Sequence, residues 1–420
     1  MRRRAYTLLL FALLPLALLH LVWRARRQPA YLRHVAERFG FYRMRPARPV
    51  IWLHAVSVGE TRAAGPLVHA LRARYPGYDV LLTHTTPTGR ETSESLFGQA
   101  VARAYLPYDF PFAMRRFLRH FRPTLGILME TEIWFNLAAC ARQARVPLIL
   151  ANARLSEKSF RRYARVRGLA RPALQSFAQV LAQSAADAER LARLGARPVV
   201  VAGNLKFDVE PPAGAFDAAR ALKARFGAGR PVFLAASTRE GEEALILEAM
   251  ERIAVKDLLV VIVPRHPQRF DEVARLVAGR GLALQRKSLG EPIAGATQIV
   301  LGDTMGELFA YYGAADLAFI GGSLMPLGGQ NLIEAAAMGV PVLVGPHTFN
   351  FEEPARAAVA CGCALRIADA DDLGRQARAL LADAGRRQAM HEAALGFAAS
   401  RRGATESLLG ALAPYLKAGA

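Results

Sequence analysis

The sequence predicts an α/β protein with two doubly wound parallel sheets, each in its own domain. Short apolar runs recur along the chain, helical patterns separate most of them, and polar residues collect where the runs end. Strands that alternate with helices pair in parallel and are covered by helices on both faces. The length of 420 residues exceeds one typical core and favours two such domains.

Residues 1–27 are predicted to form an uncleaved membrane anchor. An almost unbroken apolar run extends from Thr7 to Trp23, slightly short of the ~20 residues that span a bilayer comfortably. The residues after Trp23 make a poor signal-peptidase site. Basic residues flank the run on both sides: Arg2, Arg3, Arg4, Arg24, Arg26 and Arg27. The larger cluster follows the run, so the body is expected on the cytoplasmic side, held to anionic lipid.

Two domains follow the anchor, over residues 28–208 and 209–420. The predicted strands of the first are 49–55, 79–83, 124–129, 147–150, 179–182 and 198–202. A linker with Pro211 and Pro212 leads into the second domain. The predicted strands there are 232–236, 258–263, 297–301, 317–320 and 340–344. We expect two Rossmann-like domains that face a cleft.

The glycine-rich stretch from Phe319 to Val344 organises the second domain. Its pattern is a buried strand, a glycine loop, a short helix and another strand. Asn331 is a favourable N-cap, and Glu334 stands three residues later, as in a capping box. Such a helix start can cradle a phosphate or ribose, or it can be an ordinary turn in which Glu334 only caps. Both interpretations remain open at this point.

Acidic residues follow two strands of the first domain. The spacing of Ser57 and Glu60 is also that of a capping box, which favours a structural role for the glutamate. Against that, a helix N-terminus keeps a carboxylate ionised, and an ionised carboxylate can accept a proton. Glu130 and Glu132 are equally ambiguous. Lys206 either faces the expected cleft or is a solvated linker lysine.

Composition narrows the function classes without choosing one. The chain carries 55 Lys+Arg against 35 Asp+Glu, a net charge of +20, so nucleic acid, anionic membrane and phosphorylated substrates are all open. Three cysteines fit neither a disulfide framework nor a zinc site, which favours a reducing compartment. No metal-binding or P-loop pattern is present. Arg265, after a buried strand, suits a phosphate clamp.

Eight motifs together resemble the Kdo (3-deoxy-D-manno-octulosonic acid) transferases of lipopolysaccharide biosynthesis. The resemblance covers the chain from the anchor to the C-terminal region. The motifs are HAVSVGE (54–60), METEIWFN (129–136), NARLSEKS (152–159), GNLKFD (203–208), VPRHPQRF (263–270), GDTMGEL (302–308), FIGGSLMPLGGQN (319–331) and GPHTFNFEE (345–353).

The resemblance implies a GT-B glycosyltransferase anchored in the inner membrane. Such an enzyme moves Kdo from CMP-Kdo to a lipid A precursor, lipid IVA, with inversion and without a metal or other cofactor. By the resemblance Glu60 is the general base, and Glu130 and Lys206 assist at the transition state. The residues that match CMP contacts are Pro264, Arg265, Met305, Gly306, Glu307, Asn331, Leu332, Ile333 and Glu334.

The chain departs from the family pattern at three positions. Arg239 and Gln330 stand where histidines are usual, and Ala335 stands where proline is usual. The two polar changes lie near the expected nucleotide site and not beside the expected catalytic glutamate.

Two other functions remain open. One is a transferase or epimerase that uses a UDP-sugar, because the glycine loop and Glu334 suit any ribonucleotide. The other is a basic membrane scaffold that binds nucleic acid. Aromatic residues make up only 8% of the chain and no nucleic-acid motif is present, so no nucleic-acid partner is expected.

Overall fold

The chain divides into two compact domains. A computed structural model describes residues 3–227 and 229–417. One domain contains the chain up to Asp208 together with the segment from Arg402 onward, and the other is Val209–Arg401. The sequence groups all of 209–420 in one domain, whereas the structure returns the last helix to the first domain. A domain boundary drawn from the sequence places this helix with its neighbours in the chain. Its apolar face packs instead against residues of the first domain that lie far away in the sequence.

The first domain is built on a seven-stranded parallel sheet. Its strands are β1 (Val50–His54), β2 (Asp79–His84), β3 (Ala102–Tyr105), β4 (Pro123–Met129), β5 (Leu148–Ala153), β6 (Gln179–Ala182) and β7 (Val199–Val201). Its helices are α1 (Arg3–Arg27), α2 (Val58–Ala63), α3 (Gly65–Arg74), α4 (Pro87–Phe97), α5 (Pro111–Phe121), α6 (Phe135–Gln143), α7 (Glu157–Arg165), α8 (Arg167–Leu174), α9 (Ala185–Leu194) and α18 (Ala404–Leu412).

The strand order of this sheet is β3-β2-β1-β4-β5-β6-β7. Leu53 of β1 lies opposite Leu82 on one side and Ile127 on the other. The chain therefore turns back at β1, and the connections from β1 and β4 run in opposite directions. This is the switch point at which doubly wound sheets bind ligands.

Alternate residues of β1 enter two apolar clusters, one on each face of the sheet. Trp52 belongs to the first cluster, with Phe117 of α5. Ile51 and Leu53 belong to the second, with Leu408 of α18. All five side chains are fully buried. The near-continuous apolar run of β1 follows from this arrangement, since both faces of a covered parallel strand are hidden from water.

The second domain has its own seven-stranded parallel sheet. Its strands are β8 (Val232–Thr238), β9 (Leu259–Pro264), β10 (Leu284–Arg286), β11 (Ile299–Leu301), β12 (Leu317–Ile320), β13 (Val342–Val344) and β14 (Ala364–Arg366). Its helices are α10 (Ala215–Phe226), α11 (Glu242–Ile253), α12 (Phe270–Gly279), α13 (Leu308–Ala314), α14 (Ile333–Ala337), α15 (Glu352–Ala360), α16 (Ala370–Ala382) and α17 (Ala384–Ser400).

The second sheet has the order β10-β11-β9-β8-β12-β13-β14. Its switch point lies between β8 and β12, which pair in parallel with Ala236 opposite Ile320. The predicted Rossmann-like pattern is therefore confirmed in both domains. The sequence missed the short strands β3, β10 and β14.

The predicted anchor forms the 25-residue helix α1. By length and composition it is apolar enough to cross a membrane, and only 6% of its most apolar window is buried. Large apolar side chains on it are at least 44% exposed: Leu8, Leu9, Phe11, Leu13, Leu16, Leu19, Val22 and Trp23.

We predict that Leu408→Ala destabilises the first domain although the residue lies near the end of the chain. Leu408 is fully buried, so truncation leaves a cavity and should lower the free energy of unfolding by about 2–5 kcal/mol. Urea denaturation measures the change. The matched control is Leu289→Ala, because Leu289 is 63% exposed. Equal stability of the two variants would contradict the packing of α18 against the first sheet.

Candidate active site

Glu60 lies in the first turn of α2, directly beyond the carboxyl end of β1. Ser57 caps this helix, since its Oγ accepts a hydrogen bond from the backbone N–H of Glu60 at 3.3 Å. The carboxylate accepts two bonds in return, from the Ser57 hydroxyl at 3.1 Å and from the backbone N–H of Val56 at 2.8 Å. The predicted cap is present, with the backbone bond shifted to the residue before Ser57.

The electrostatic surroundings of Glu60 favour its protonated form more than the sequence predicts. Burial, together with the negative charges of Glu130 and Glu132, raises the pKa of Glu60 to about 7, although the hydrogen bonds from Val56 and Ser57 oppose the increase. Desolvation therefore outweighs the stabilisation that those bonds give to the ionised form of Glu60. A carboxylate whose pKa lies near neutrality is well matched to proton transfer.

Glu130 and Lys206 come together at the end of β4. The Lys206 Nζ lies 4.0 Å from the Glu130 Oε1, and each side chain is about one-fifth exposed. Glu130 has a left-handed backbone, with φ of 56°, while its N–H still bonds to the Ala151 carbonyl at 3.0 Å. Non-glycine residues hold this conformation only where their surroundings fix it. The structure thus brings two of the three predicted catalytic residues into an ion pair beside the third.

Asn152, which the sequence did not single out beyond its motif, positions the segment that carries Lys206. This buried residue lies near the end of β5, also with a left-handed φ of 51°. Its Oδ1 accepts a hydrogen bond from the Leu205 N–H at 3.0 Å. Asn204 then accepts a bond from the Lys206 N–H at 3.0 Å. Two asparagine side chains therefore hold the backbone of Lys206 against the sheet.

His54 and His84 form a buried polar layer under the first-domain site. The Nδ1 of His54 bonds to the Thr83 hydroxyl at 2.9 Å, and the Nδ1 of His84 bonds to the Ala55 carbonyl at 2.9 Å. Burial lowers the pKa of His54 to about 3 and that of His84 to about 4. Both imidazoles are therefore neutral at physiological pH and support the end of β1 as hydrogen-bonding groups.

The glycine loop of the second domain passes very close to the end of β8. A Cβ on Gly321 would lie 2.5 Å from the Ser237 carbonyl oxygen, which only a glycine avoids. Gly322 has a left-handed φ of 71°. The sequence therefore needs glycine at both positions, Gly321 for the close approach to β8 and Gly322 for its left-handed backbone.

Glu242 fixes the glycine loop, and the sequence interpretation missed it. The fully buried carboxylate accepts hydrogen bonds from the backbone N–H groups of Arg239 at 2.9 Å, Gly322 at 2.5 Å and Leu324 at 3.0 Å. Burial raises its pKa, and these three bonds oppose the increase. A glutamate in a run of charged residues looks solvent-exposed in sequence, so only its position at the start of α11 hints at this role.

Arg265 and Gln330 contact each other beside this loop. The Arg265 Nε donates to the Gln330 Oε1 at 3.2 Å, and the Arg265 N–H donates to the Thr238 carbonyl at 2.9 Å. Gln330 is also tied to the loop by its N–H, which donates to the Gly321 carbonyl at 3.0 Å. The glutamine that replaces the usual histidine therefore takes part in orienting the predicted clamp.

The predicted capping box at Asn331 has a different geometry. The Asn331 Oδ1 accepts from the Ile333 N–H at 3.0 Å, and its Nδ2 donates to the Glu334 Oε1 at 3.0 Å. The helix begins at Ile333, with Leu332 as its first flanking residue, so Asn331 bonds two residues ahead instead of three. Leu332 and Ile333 are buried.

Pro264 lies at the end of β9, and Met305, Gly306 and Glu307 follow β11. Pro264 is the last residue of β9, and Met305 is 60% exposed. Gly306 has a left-handed φ of 85°, with open space where a Cβ would stand. Glu307 precedes α13 and accepts bonds from Lys287 and Thr304. Burial acts to raise the pKa of Glu307, but the bonds from Lys287 and Thr304 outweigh it. The pKa is therefore lowered, and the carboxylate stays ionised.

The fold resembles that of solved glycosyltransferases, and the sequence matches one family. A glycosyltransferase from Rickettsia africae has a TM-score of 0.58 at 14% identity, with 88% of this chain and 98% of that chain covered, a likeness of fold alone. A family model described as 3-deoxy-D-manno-octulosonic-acid transferase (kdotransferase) matches residues 33–209.

Two relatives carry the same description over nearly full length. The transferase of Bordetella pertussis is 48% identical, over 99% of this chain and 100% of that protein. The transferase of Haemophilus influenzae is 38% identical, over 99% of both chains. The chain belongs to the 3-deoxy-D-manno-octulosonic acid transferase family, whose members are glycosyltransferases.

We predict that Glu242→Gln loosens the glycine loop. The amide keeps one acceptor oxygen but turns an N–H₂ group toward backbone donors, so the free energy of unfolding should fall by about 1–3 kcal/mol. Hydrogen exchange at Gly322 and Leu324 should accelerate. Glu251→Gln, on the exposed side of the same helix, is the control and should change neither measurement. Unaltered exchange in Glu242→Gln would show that the carboxylate does not hold the loop.

Proposed function

We propose that the protein transfers Kdo from CMP-Kdo to a lipid A precursor, lipid IVA, with inversion at the anomeric carbon. The observation that carries this proposal is the grouping of Glu60, Glu130 and Lys206 at the switch point of the first sheet. The first domain is assigned to the acceptor and the second to the nucleotide sugar. Membership of the family supports the donor sugar.

In the proposed reaction Glu60 is the general base. An acceptor hydroxyl attacks the anomeric carbon of Kdo and gives its proton to the Glu60 carboxylate. The bond from the anomeric carbon to the phosphate oxygen breaks, and CMP leaves with that electron pair. The hydrogen bonds from Val56 and Ser57 hold the carboxylate in one orientation, which supports the role, because a base must be positioned as well as basic.

Lys206 and Glu130 supply charge beside the base in this proposal. Lys206 offers a cation that can stabilise negative charge developing during transfer. Glu130 holds that cation through the contact at 4.0 Å. Positive side chains and backbone N–H groups supply the electrostatic stabilisation that the leaving phosphate needs, and no step of the reaction uses a metal ion.

The second domain supplies groups suited to CMP. Arg265 presents a guanidinium that Gln330 orients, and a guanidinium suits phosphate oxygens. Asn331 and Glu334, linked to each other at 3.0 Å, offer polar atoms for the ribose or base. The backbone at Gly306 leaves open space for a ligand to approach.

We infer a location at the inner membrane, with α1 as the anchor and the catalytic body on the cytoplasmic side. The exposed apolar side chains of α1 support insertion into lipid. The arginines that follow Trp23 support contact with anionic headgroups on the same side as the body.

We predict that Glu60→Gln folds but transfers almost no Kdo. Glutamine can keep much of the cap, so the free energy of unfolding should change by about 1 kcal/mol or less. It cannot accept the proton, so kcat should fall by at least ~10²–10⁴. Mass spectrometry of lipid IVA incubated with CMP-Kdo measures the product.

The pH dependence follows from the same group. The base must be deprotonated, and its pKa is raised to about 7, so kcat/KM of the wild type should rise with pH and reach half its maximum near pH 7. Glu94→Gln, at an exposed position of α4, is the control and should keep the profile. Retained transfer by a well-folded Glu60→Gln protein would return Glu60 to its capping role and make Glu130 the next candidate for the base.

We predict that Arg265→Ala weakens CMP binding. Loss of one charged hydrogen bond should cost roughly 1.5–3 kcal/mol, which titration calorimetry can measure directly. Arg275→Ala, on the exposed side of α12, should bind CMP as the wild type does. Unchanged affinity in Arg265→Ala would remove the clamp role. Tighter binding of UDP than of CMP by the wild type would favour a UDP-sugar donor instead.

A further inference from the structure

A pocket of about 420 Å³ lies inside the first domain, between α1 and the loops that follow β3 and β4. One wall is a single face of α1, formed by Tyr6, Leu10, Leu13, Leu14 and Ala17. The opposite wall is formed by residues 108–110, residues 131–134 and Tyr163. Its volume lies within the ~300–1,000 Å³ common for small-molecule sites.

Specific polar contacts hold α1 in place as a wall of this pocket. The Tyr6 hydroxyl donates to the Asp109 Oδ2 at 3.1 Å, and the Thr7 hydroxyl bonds to the Asn136 side chain at 3.1 Å. Asp109 also accepts the Leu137 N–H at 2.8 Å. Phe11 adds a ring contact with Phe110, their centroids 4.7 Å apart. The helix is therefore docked on the domain as well as attached to it by the chain.

The two faces of α1 have different surroundings. Leu9 and Leu16 point away from the domain, with exposures of 47% and 61%, and are suited to contact hydrocarbon. Leu10 and Leu14 line the pocket and are more buried. The same helix therefore lines the pocket with one face and presents exposed apolar side chains on the other.

Part of the pocket lining lies near the candidate active site. Glu132 and Trp134 line it, two and four residues after Glu130 in the sequence. The Trp134 ring packs edge-on against His54, the last residue of β1, with centroids 5.6 Å apart. The charge of Glu132 also acts on Glu60. A molecule in the pocket would therefore end close to the proposed base.

The chemistry of the lining favours a hydrocarbon chain over a sugar. Aliphatic side chains of α1 supply most of one wall, and the carboxylates of Glu132 and Asp109 are bonded to protein partners. Glu132 accepts a bond from the Trp134 Nε1 at 2.5 Å, and Asp109 accepts bonds from Tyr6 and from backbone N–H groups. A sugar hydroxyl would have to compete for these groups, whereas an alkyl chain only displaces water from apolar surface.

We propose that this pocket binds one acyl chain of the acceptor glycolipid, so that the anchor helix is part of the acceptor site. The inference rests on the proposed function and names a contact that selects an acylated acceptor. An amphiphile held by one chain along α1 would place its sugar near Glu60.

Photo-crosslinking of the full chain in detergent micelles tests the proposal directly. The probe is lipid IVA that carries a diazirine in an acyl chain, and mass spectrometry maps the attached peptides. We expect crosslinks to the Leu10–Leu14 face of α1 and to residues 131–134. Leu14→Trp should fill the pocket and suppress these crosslinks, whereas the matched control Leu16→Trp should leave them unchanged. Equal labelling in both variants would overturn the proposal.

Kinetics provide a second readout that a purely structural role of Leu14 would not give. Leu14→Trp should raise the KM for lipid IVA by about tenfold or more, the effect of losing contact with about two methylene groups. Transfer to lipid IVA stripped of its acyl chains, and the KM for CMP-Kdo, should stay unchanged. Ala17→Phe should act in the same direction if Leu14→Trp folds poorly. An equal loss with both acceptors would overturn the acyl assignment.

Two outcomes separate this inference from the proposed function. Crosslinking needs no turnover, so a wild type that transfers no Kdo would contradict the proposed function while the crosslink map still decides the pocket. Phosphatidylglycerol that carries the same diazirine in an acyl chain is the control for specificity. Equal crosslinking of the pocket by this phospholipid would show a site for bulk membrane lipid and overturn the assignment to the acceptor.

Discussion

The reversal of strand order in each parallel sheet is the constraint on which the rest of the structure depends. Connections leave β1 and β4 in opposite directions in the first domain, and β8 and β12 do the same in the second. At these two places the neighbouring loops run to opposite faces of the sheet, so backbone groups and side chains between them stay accessible. Glu60 and Glu130 stand at the first switch point, and the glycine loop with Glu242 stands at the second. The fold fixes where a site can be, and the loop residues then fix its chemistry.

Glu60 shows that a capping role and a catalytic role need not compete. The bonds that cap α2 also fix the carboxylate, while burial raises its pKa to about 7. Its folded-state pKa lies above the ordinary value, so the native protein holds this proton more tightly than the unfolded chain does. Stability from this group is therefore present below about pH 4.5 and lost as the pH rises through about 7. The charged form that can act as a base is thus obtained at a cost in stability.

Hydrophobic pattern predicted the long central strands well, because strands such as β1 and β9 are buried on both faces. It missed β3, β10 and β14, which each contain an arginine and are too short to give a period. The sequence also indicated the site residues at strand ends. It could not indicate Glu242, whose bonds to Gly322 and Leu324 join residues 80 and 82 positions apart. Nor could it show that desolvation would outweigh the stabilising bonds at Glu60.

The anchor helix illustrates the same limit in another form. An apolar run reports its affinity for lipid, but its docking depends on Tyr6 and Thr7, two polar residues at its start that look like ordinary interface residues. Their partners, Asp109 and Asn136, lie more than 100 positions away in the chain. A helix that only tethered the enzyme would need no such contacts, because any apolar segment of sufficient length inserts into a bilayer. The buried Asp109 carboxylate fixes which face of α1 packs against the domain. Because of this contact the helix lines the pocket in addition to tethering the enzyme.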